Sequence, residues 1–289
     1  MSTKLSGSLL LTFRELWSTY VTLGLFAVTT LAWVLASFAM NLDVVEGSIA
    51  GLRIFGLDAT PSDAVQDQAT GEWSRVAMSL DNFVVGIQSF VVGAAYMLGT
   101  LLGVFATAPL TANLMKEPRI GLLLSKPLSR HSFLAGHVLG VMLTVLSLAS
   151  YLVLSVWIVL SLKSGLWHFE FLLSIPLITI MFLVMYSVVL LAAVTTGSSG
   201  FALVGAYGLI FVSMILAGHE GILTQLNEVG TAIFMTFYYV LPNFIESLVI
   251  TVQLVGEQSV ESWTPFIASV GFGLAVYFLA FRWFARKDF

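Results

Sequence analysis

Cysteine is absent from the 289 residues, only 10% of them are charged, and proline occurs just 7 times. Without cysteine, neither a disulfide nor a thiolate metal site can form. A soluble domain carries about 25% charged residues, so this chain has too little charge to clothe an ordinary water-facing surface. Lysine is followed by serine or threonine at one place alone, Lys163–Ser164, where the preceding residue is Leu162 rather than glycine. The phosphate-cradling loop GxxxxGK[ST] is therefore missing. The four histidines, His131, His137, His168 and His219, never stand four apart, and "HEGIL" (His219–Leu223) lacks the second histidine of HExxH. A metal centre would have to be assembled from distant segments, and none is expected. No nucleic-acid partner is expected either.

In place of charge the chain has apolar bulk: 58% hydrophobic residues, with Phe 22, Tyr 8 and Trp 7, and a mean hydropathy of +0.97. This is the composition of an integral membrane protein. About 20 apolar residues are needed to cross the hydrocarbon core as a helix. Six stretches meet that length: Tyr20–Met40, Phe83–Leu110, Phe133–Leu162, Phe169–Val194, Gly200–Gly218 and Thr264–Trp283. None alternates like a barrel strand. The fold class expected is all-α, with six transmembrane helices forming one transmembrane domain over residues 1–289. The first span is expected to be a retained anchor, since its apolar run is longer than a signal-peptide core.

Lysine and arginine favour the cytoplasmic side. Six spans with the N-terminus inside place nine cations within: Lys4, Arg14, Lys116, Arg119, Lys126, Arg130, Arg282, Arg286 and Lys287. Three fall outside: Arg53, Arg75 and Lys163. Both termini are thus expected to be cytoplasmic.

Three further segments do not span. Residues 4–19 can gather Leu5, Leu9, Phe13, Leu16 and Trp17 on one side. They form either an interfacial amphipathic helix or an extension of the first span. Residues 41–80, rich in Gly, Pro, Asp and Gln, are long enough to hold a small structure of their own. That extracytoplasmic segment either gates a path or meets an outside partner, or it is a solvated loop. Residues 222–254 read "ILTQLNEVGTAIFMTFYYVLPNFIESLVITVQL". The apolar run breaks at Pro242–Asn243 and resumes with Glu246 inside it. A full crossing here would put the basic C-terminus outside, so a re-entrant pair hinged at Pro242 is expected. Broken backbone at membrane depth must be buried in protein or line a wet cavity. Pro242, Asn243 and Glu246 are therefore the candidate gate of a translocation path.

Gly99-xxx-Gly103 and Gly136-xxx-Gly140 are spacings that let helices approach closely. "GSSG" (Gly197–Gly200) matches the GxSG of intramembrane serine proteases, with His137 the nearest candidate base. A tight turn between two spans explains the same residues. No catalytic residue is assigned, and the chain is not expected to be an enzyme.

The cytoplasmic connection 110–132 contains "ANLMKEPRIGLLLSKPLSRHSFLAGHVLG" (Ala112–Gly140). Here the chain resembles the permease subunits of ABC-2 type exporters, whose segment runs close to P-N-x-x-x-x-G-[ST]-x-[DE]-L-L-L-[SA]-K-P-[IVL]-S-R. Asn113, Leu122, Leu123, Leu124, Ser125, Lys126, Pro127, Leu128, Ser129 and Arg130 match in register, while Pro118, Arg119 and Gly121 depart from the pattern. The C-terminal "FARKDF" (Phe284–Phe289) is similar to the family's F-x-R-[RK]-D-[LF]. Copper-enzyme maturation permeases of the NosY kind are among the relatives closest in pattern.

This resemblance implies a membrane subunit that couples ATP hydrolysis on a separate ABC ATPase subunit to export. ATP and Mg2+ would be held by that partner, with no cofactor on this chain. It implies a second permease copy, as a homodimer or related heterodimer, in the inner (plasma) membrane of a prokaryote. Leu122, Leu123, Leu124, Lys126, Pro127, Ser129 and Arg130 would dock into the ATPase groove. The alternative use of that segment is an interfacial loop lying on lipid. The alternative function is an ATP-independent scaffold or assembly factor that holds an extracytoplasmic partner.

Overall fold

The structure, a computed structural model, describes residues 2–17, 20–45, 48–54, 57–58, 62–66, 73–115 and 129–287. Among the described residues, five helices are long and apolar enough to cross a membrane: α3 (Leu80–Leu114), α4 (Arg130–Ser164), α5 (Ser174–Thr196, entered through a 3-10 turn at Glu170–Leu173), α6 (Ser199–Ala217) and α10 (Thr264–Arg286). Two helices precede them, α1 (Ser2–Trp17) and the 20-residue α2 (Tyr20–Ala39). Among α2 residues with described side chains, the apolar stretch is Thr22–Leu31.

The most apolar span takes the central place in the bundle. A helix that is apolar all round belongs at a centre rather than at an edge. "IPLITIMFLVMYSVVLLAAV" in α5 is such a helix, and its most hydrophobic window is 78% buried, against 28% for each of the other four. Around α5 gathers a core that includes Tyr96, Phe182, Tyr186, Phe244 and Phe284. A smaller cluster joins Leu80, Val84, Leu160, Phe171 and Val255 at one end of the bundle.

Short polar signals set the helix boundaries. Ser79, Ser129 and Ser198 each cap an N-terminus, accepting from Asn82 N, Ser132 N and Phe201 N. That satisfies one of the amide donors a helix start leaves open. Gly165 and Gly197 close α4 and α5 in the left-handed conformation, at φ 76 and 66, which glycine adopts without steric cost.

The chain directions give the bundle two unlike ends. At the basic end, Arg130 meets the C-terminus of α10, and Lys287 donates to Val194 O. At the acidic end, Asp81, His168 and Glu257 meet. α3 and α4, 35 residues each, are about 52 Å long at 1.5 Å per residue. They outreach a hydrocarbon core of about 30 Å.

Residues 40–77 depart from an all-helical expectation. β1 (Met40–Val45), β2 (Ser48–Ile54) and β3 (Leu57–Asp58) pair antiparallel in that order, with Met40 opposite Ile54 and a bulge at Asp43/Val44. β4 (Ser62–Gln66) and β5 (Trp73–Ala77) form a second antiparallel pair. The runs are short, contain β-branched residues and are broken by Gly, Pro and Asp, the pattern of short strands rather than of a helix.

Of the small-residue spacings, Gly103 and Gly140 are tight positions. A Cβ on Gly140 would lie 2.7 Å from Thr12 Cβ and 3.0 Å from Leu9 O, so glycine is what lets α1 lie against α4. A Cβ on Gly103 would meet the Phe182 ring at 2.7 Å, while at Gly99 there is open space.

Candidate functional site

Two places among the described residues bear on the candidates named from the sequence. The first is the broken helix pair, α8 (Glu228–Val240) and α9 (Phe244–Val255). The two are bent by 63° at the break, neither collinear nor folded flat on one another. Pro242 has no amide proton and cannot continue α8. α6 brings the chain to the acidic end and α10 leaves from it, so the pair enters and departs on the same side. A short helix, α7 (His219–Leu223), precedes it.

The break lies well inside the bundle, and protein groups satisfy it. Tyr96 OH donates to Phe244 O at 2.7 Å. Tyr96 stands 16 residues into α3, about 24 Å from its start. Helix starts leave amide donors open, and here two spans supply the acceptors: Asn243 N–H donates to Ser269 Oγ at 2.8 Å and Ile245 N–H to Ser213 Oγ at 3.0 Å. On the other side of the break, Asn243 Nδ2 donates to Tyr238 O at 2.8 Å. α3, α6 and α10 therefore all hold the hinge. Pro242, Asn243 and Phe244 are buried. Of the two conditions for broken backbone at depth, the structure meets burial in protein. Asn243 Oδ1 is left without a hydrogen bond among the described residues.

Next to the hinge, Glu246 gathers two partners. Tyr238 OH donates to its Oε2 at 2.5 Å, and His219 Nδ1 lies 3.1 Å from its Oε1. The His219 and Tyr238 rings lie 5.0 Å apart. An ionisable cluster within a membrane bundle usually has a functional role. His219 is 27 residues from Glu246, and Tyr238 lies across a proline break. Neither spacing is a pattern that sequence reading tests, so these partners come from the structure alone.

The second place is the basic end. His137 is 1% exposed. Its Nδ1 lies 3.1 Å from Thr12 Oγ1, and its Nε2 lies 2.9 Å from Tyr186 OH and 3.3 Å from Thr111 Oγ1. One imidazole thus ties α1, α3, α4 and α5 together. Both of its nitrogens are engaged, so it is not available as a base for Ser199. "GSSG" is the capped turn between α5 and α6, with Ser198 Oγ accepting from Phe201 N.

Of the proposed docking residues, Leu122, Leu123, Leu124, Lys126 and Pro127 lie outside the described residues. Ser129 and Arg130 are described. Ser129 caps α4. Arg130 Nη1 donates to Lys287 O at 2.5 Å and to Ala285 O at 3.3 Å. A cation over the last carbonyls of a helix opposes its dipole. Lys287 Nζ in turn donates to Val194 O, at the C-terminus of α5. Two stretches that are 155 residues apart in sequence, "SKPLSR" and "FARK", are thus hydrogen-bonded to each other.

No protein-family model matches the chain, and no curated protein matches it.

Proposed function

We propose that this chain is the membrane permease subunit of an ATP-driven exporter of the ABC-2 type. The observation that carries the proposal is the hydrogen-bonded contact between the two stretches on which the resemblance rests, at Arg130 and Lys287. A push on the connection 110–132 would pass through Arg130 to the end of α10 and through Lys287 to α5, the buried axis of the bundle. By the excess of cations there, the basic end is cytoplasmic. α2 is the sixth crossing, and α1 lies along the inner interface.

Leu122, Leu123 and Leu124 fill an apolar groove on a separate ATPase subunit, and Lys126 meets its acidic rim. Arg130, held by the carbonyls of Ala285 and Lys287, anchors the segment to the bundle rather than reaching for the partner. ATP and Mg2+ belong to that partner, and this chain performs no covalent chemistry. Two permease copies complete the path. The hinge at Pro242–Asn243, with Glu246, is the gate toward the outside.

The test is gentle purification from the native membrane, followed by identification of co-purifying proteins. An ATPase in near-equal amount, lost on Leu123→Asp while the chain stays folded, supports the coupled exporter. A chain that emerges with only an outside partner supports instead an ATP-independent scaffold, for which the paired strands of residues 40–77 would be the holding surface.

A further inference from the structure

A separate cluster at the acidic end takes no part in the hinge. We propose that His168, Glu170 and Glu257 bind a divalent first-row metal cation, Zn2+ in preference to Mn2+, with Asp81 orienting the imidazole. The three donors come from two connections. His168 and Glu170 lie between α4 and α5, and Glu257 follows α9. One ligand atom from each lies within 4.8 Å of the other two. Two ligands about 2.1 Å from one ion can stand at most about 4.2 Å apart. A small rotation of Glu170 or Glu257 therefore closes the set.

The imidazole distinguishes this site from a patch of surface acids. The His168 side chain is only 11% exposed, whereas Glu257 and Asp81 are 55% and 61% exposed. Its Nδ1 faces Glu257 Oε1 at 3.0 Å, and its Nε2 faces Asp81 Oδ1 at 3.2 Å. A carboxylate beside the second ring nitrogen is the usual support of a metal-bound histidine. It fixes the tautomer and raises the basicity of the ligating nitrogen. The backbone that carries the ring is held as well, because Trp157 Nε1–H donates to the His168 carbonyl at 2.9 Å.

Glu257 stands at φ 54, a backbone conformation that favours glycine. One nitrogen with carboxylate oxygens is a donor set for Zn2+ or Mn2+, and with no cysteine the soft thiolate that selects Cu(I) is absent.

The competing use of the same geometry is a protonated imidazole clamped between Asp81 and Glu257. The two differ at Glu170, which has no hydrogen bond or ion pair among the described residues. A clamp has no use for it, whereas a metal does. A bound ion would tie the exit of α9 to the starts of α3 and α5, independently of the exporter proposal.

The experiment uses the full chain in detergent, stripped with EDTA and titrated with ZnCl2 or MnCl2 by calorimetry and thermal unfolding, with MgCl2 as control. One equivalent of Zn2+ should bind and raise Tm. Glu170→Gln should weaken Zn2+ at least tenfold while leaving the metal-free Tm unchanged, and Asp81→Asn should weaken it by 10–100-fold. Absence of saturable 1:1 binding overturns the proposal. So does Zn2+ binding that Glu170→Gln and His168→Asn both leave intact. A metal-free Tm that falls on Asp81→Asn, with Glu170→Gln silent toward Zn2+, also overturns it, in favour of the clamp.

Discussion

The two ends of the bundle are held by different chemistry. At the basic end the fastening hydrogen bonds run to hydroxyls or to backbone. His137 sits among three hydroxyls, and Arg130 and Lys287 donate to carbonyls. At the acidic end, titratable side chains face one another: His168 with Asp81 and Glu257, and His219 with Glu246. Neutral hydrogen bonds in a dry interior hold one arrangement and are costly to leave unmade. At the acidic end each contact pairs a carboxylate with an imidazole: Asp81 and Glu257 are exposed beside His168, whereas Glu246 lies deeper, beside the hinge, against His219. The basic end is thus fastened by contacts in the packed interior, and the acidic end by side chains that are in part exposed.

Substitutions at the basic end should therefore cost more stability than equivalent ones at the acidic end. The largest effect is expected for His137→Ala, which leaves Thr12, Thr111 and Tyr186 hydroxyls without their shared partner. At 1–3 kcal/mol for a buried unsatisfied group, a loss of about 3 kcal/mol is expected, read as a fall in Tm in detergent. Tyr186→Phe, which removes one hydroxyl, should cost about half as much.

Next comes Gly140→Val. The added carbons meet Thr12 and the Leu9 carbonyl, and overpacking of this kind costs about 1–3 kcal/mol. Its direct signature is local. Because the chain has no cysteine of its own, a single Leu16→Cys can be labelled cleanly. That site, buried at 1% exposure, should become reactive when Gly140→Val lifts α1 from α4.

Glu246→Ala should cost about 1–2 kcal/mol, since the half-buried His219 can turn away and only the buried Tyr238 hydroxyl is left without its acceptor. Glu246→Gln should cost less, because its amide oxygen can still accept from Tyr238 OH. If Glu246→Ala lowers Tm more than His137→Ala, the proposed contrast between the ends is wrong.

The smallest effect is expected for Arg130→Lys. A single ammonium keeps the charge near the end of α10 but loses the planar Nη1 group that donates to both carbonyls, so Tm should fall by a degree or two at most. Under the exporter proposal, ATPase activity of the complex would be the sharper readout in that variant, since it weakens the link without unfolding the bundle.

Much of this architecture was legible in the sequence, and the reason is lipid. A helix that crosses the membrane must carry a long apolar run, and such runs stand out without knowledge of their neighbours. The break at Pro242 was legible for a similar reason, because proline acts on its own backbone. Residues 40–77 were harder. Their paired strands depend on register between short segments, which composition does not reveal. At the candidate gate, Pro242, Asn243 and Glu246 could be named from the sequence, but Tyr96, Ser213, Ser269, His219 and Tyr238 could not. Each reaches the hinge from another element, and isolated polar residues in apolar helices carry no signal of which partner they meet. His137 had been weighed as a base beside a serine turn. Its neighbours in space, Thr12, Thr111 and Tyr186, instead make it a buried knot.

The sequence by itself determined that the chain builds long apolar helices fit for a membrane, where one helix pair breaks and which end collects the cations. These follow from local properties: hydrophobicity over some twenty residues, the missing donor of proline and the distribution of charge. Only the tertiary structure decided that α5 is the axis, that α3, α6 and α10 hold the hinge, and that Arg130 closes on the C-terminus of α10. Those outcomes depend on which helix faces are brought together, and a hydrogen bond between residues more than a hundred positions apart exists only once packing has chosen its two ends.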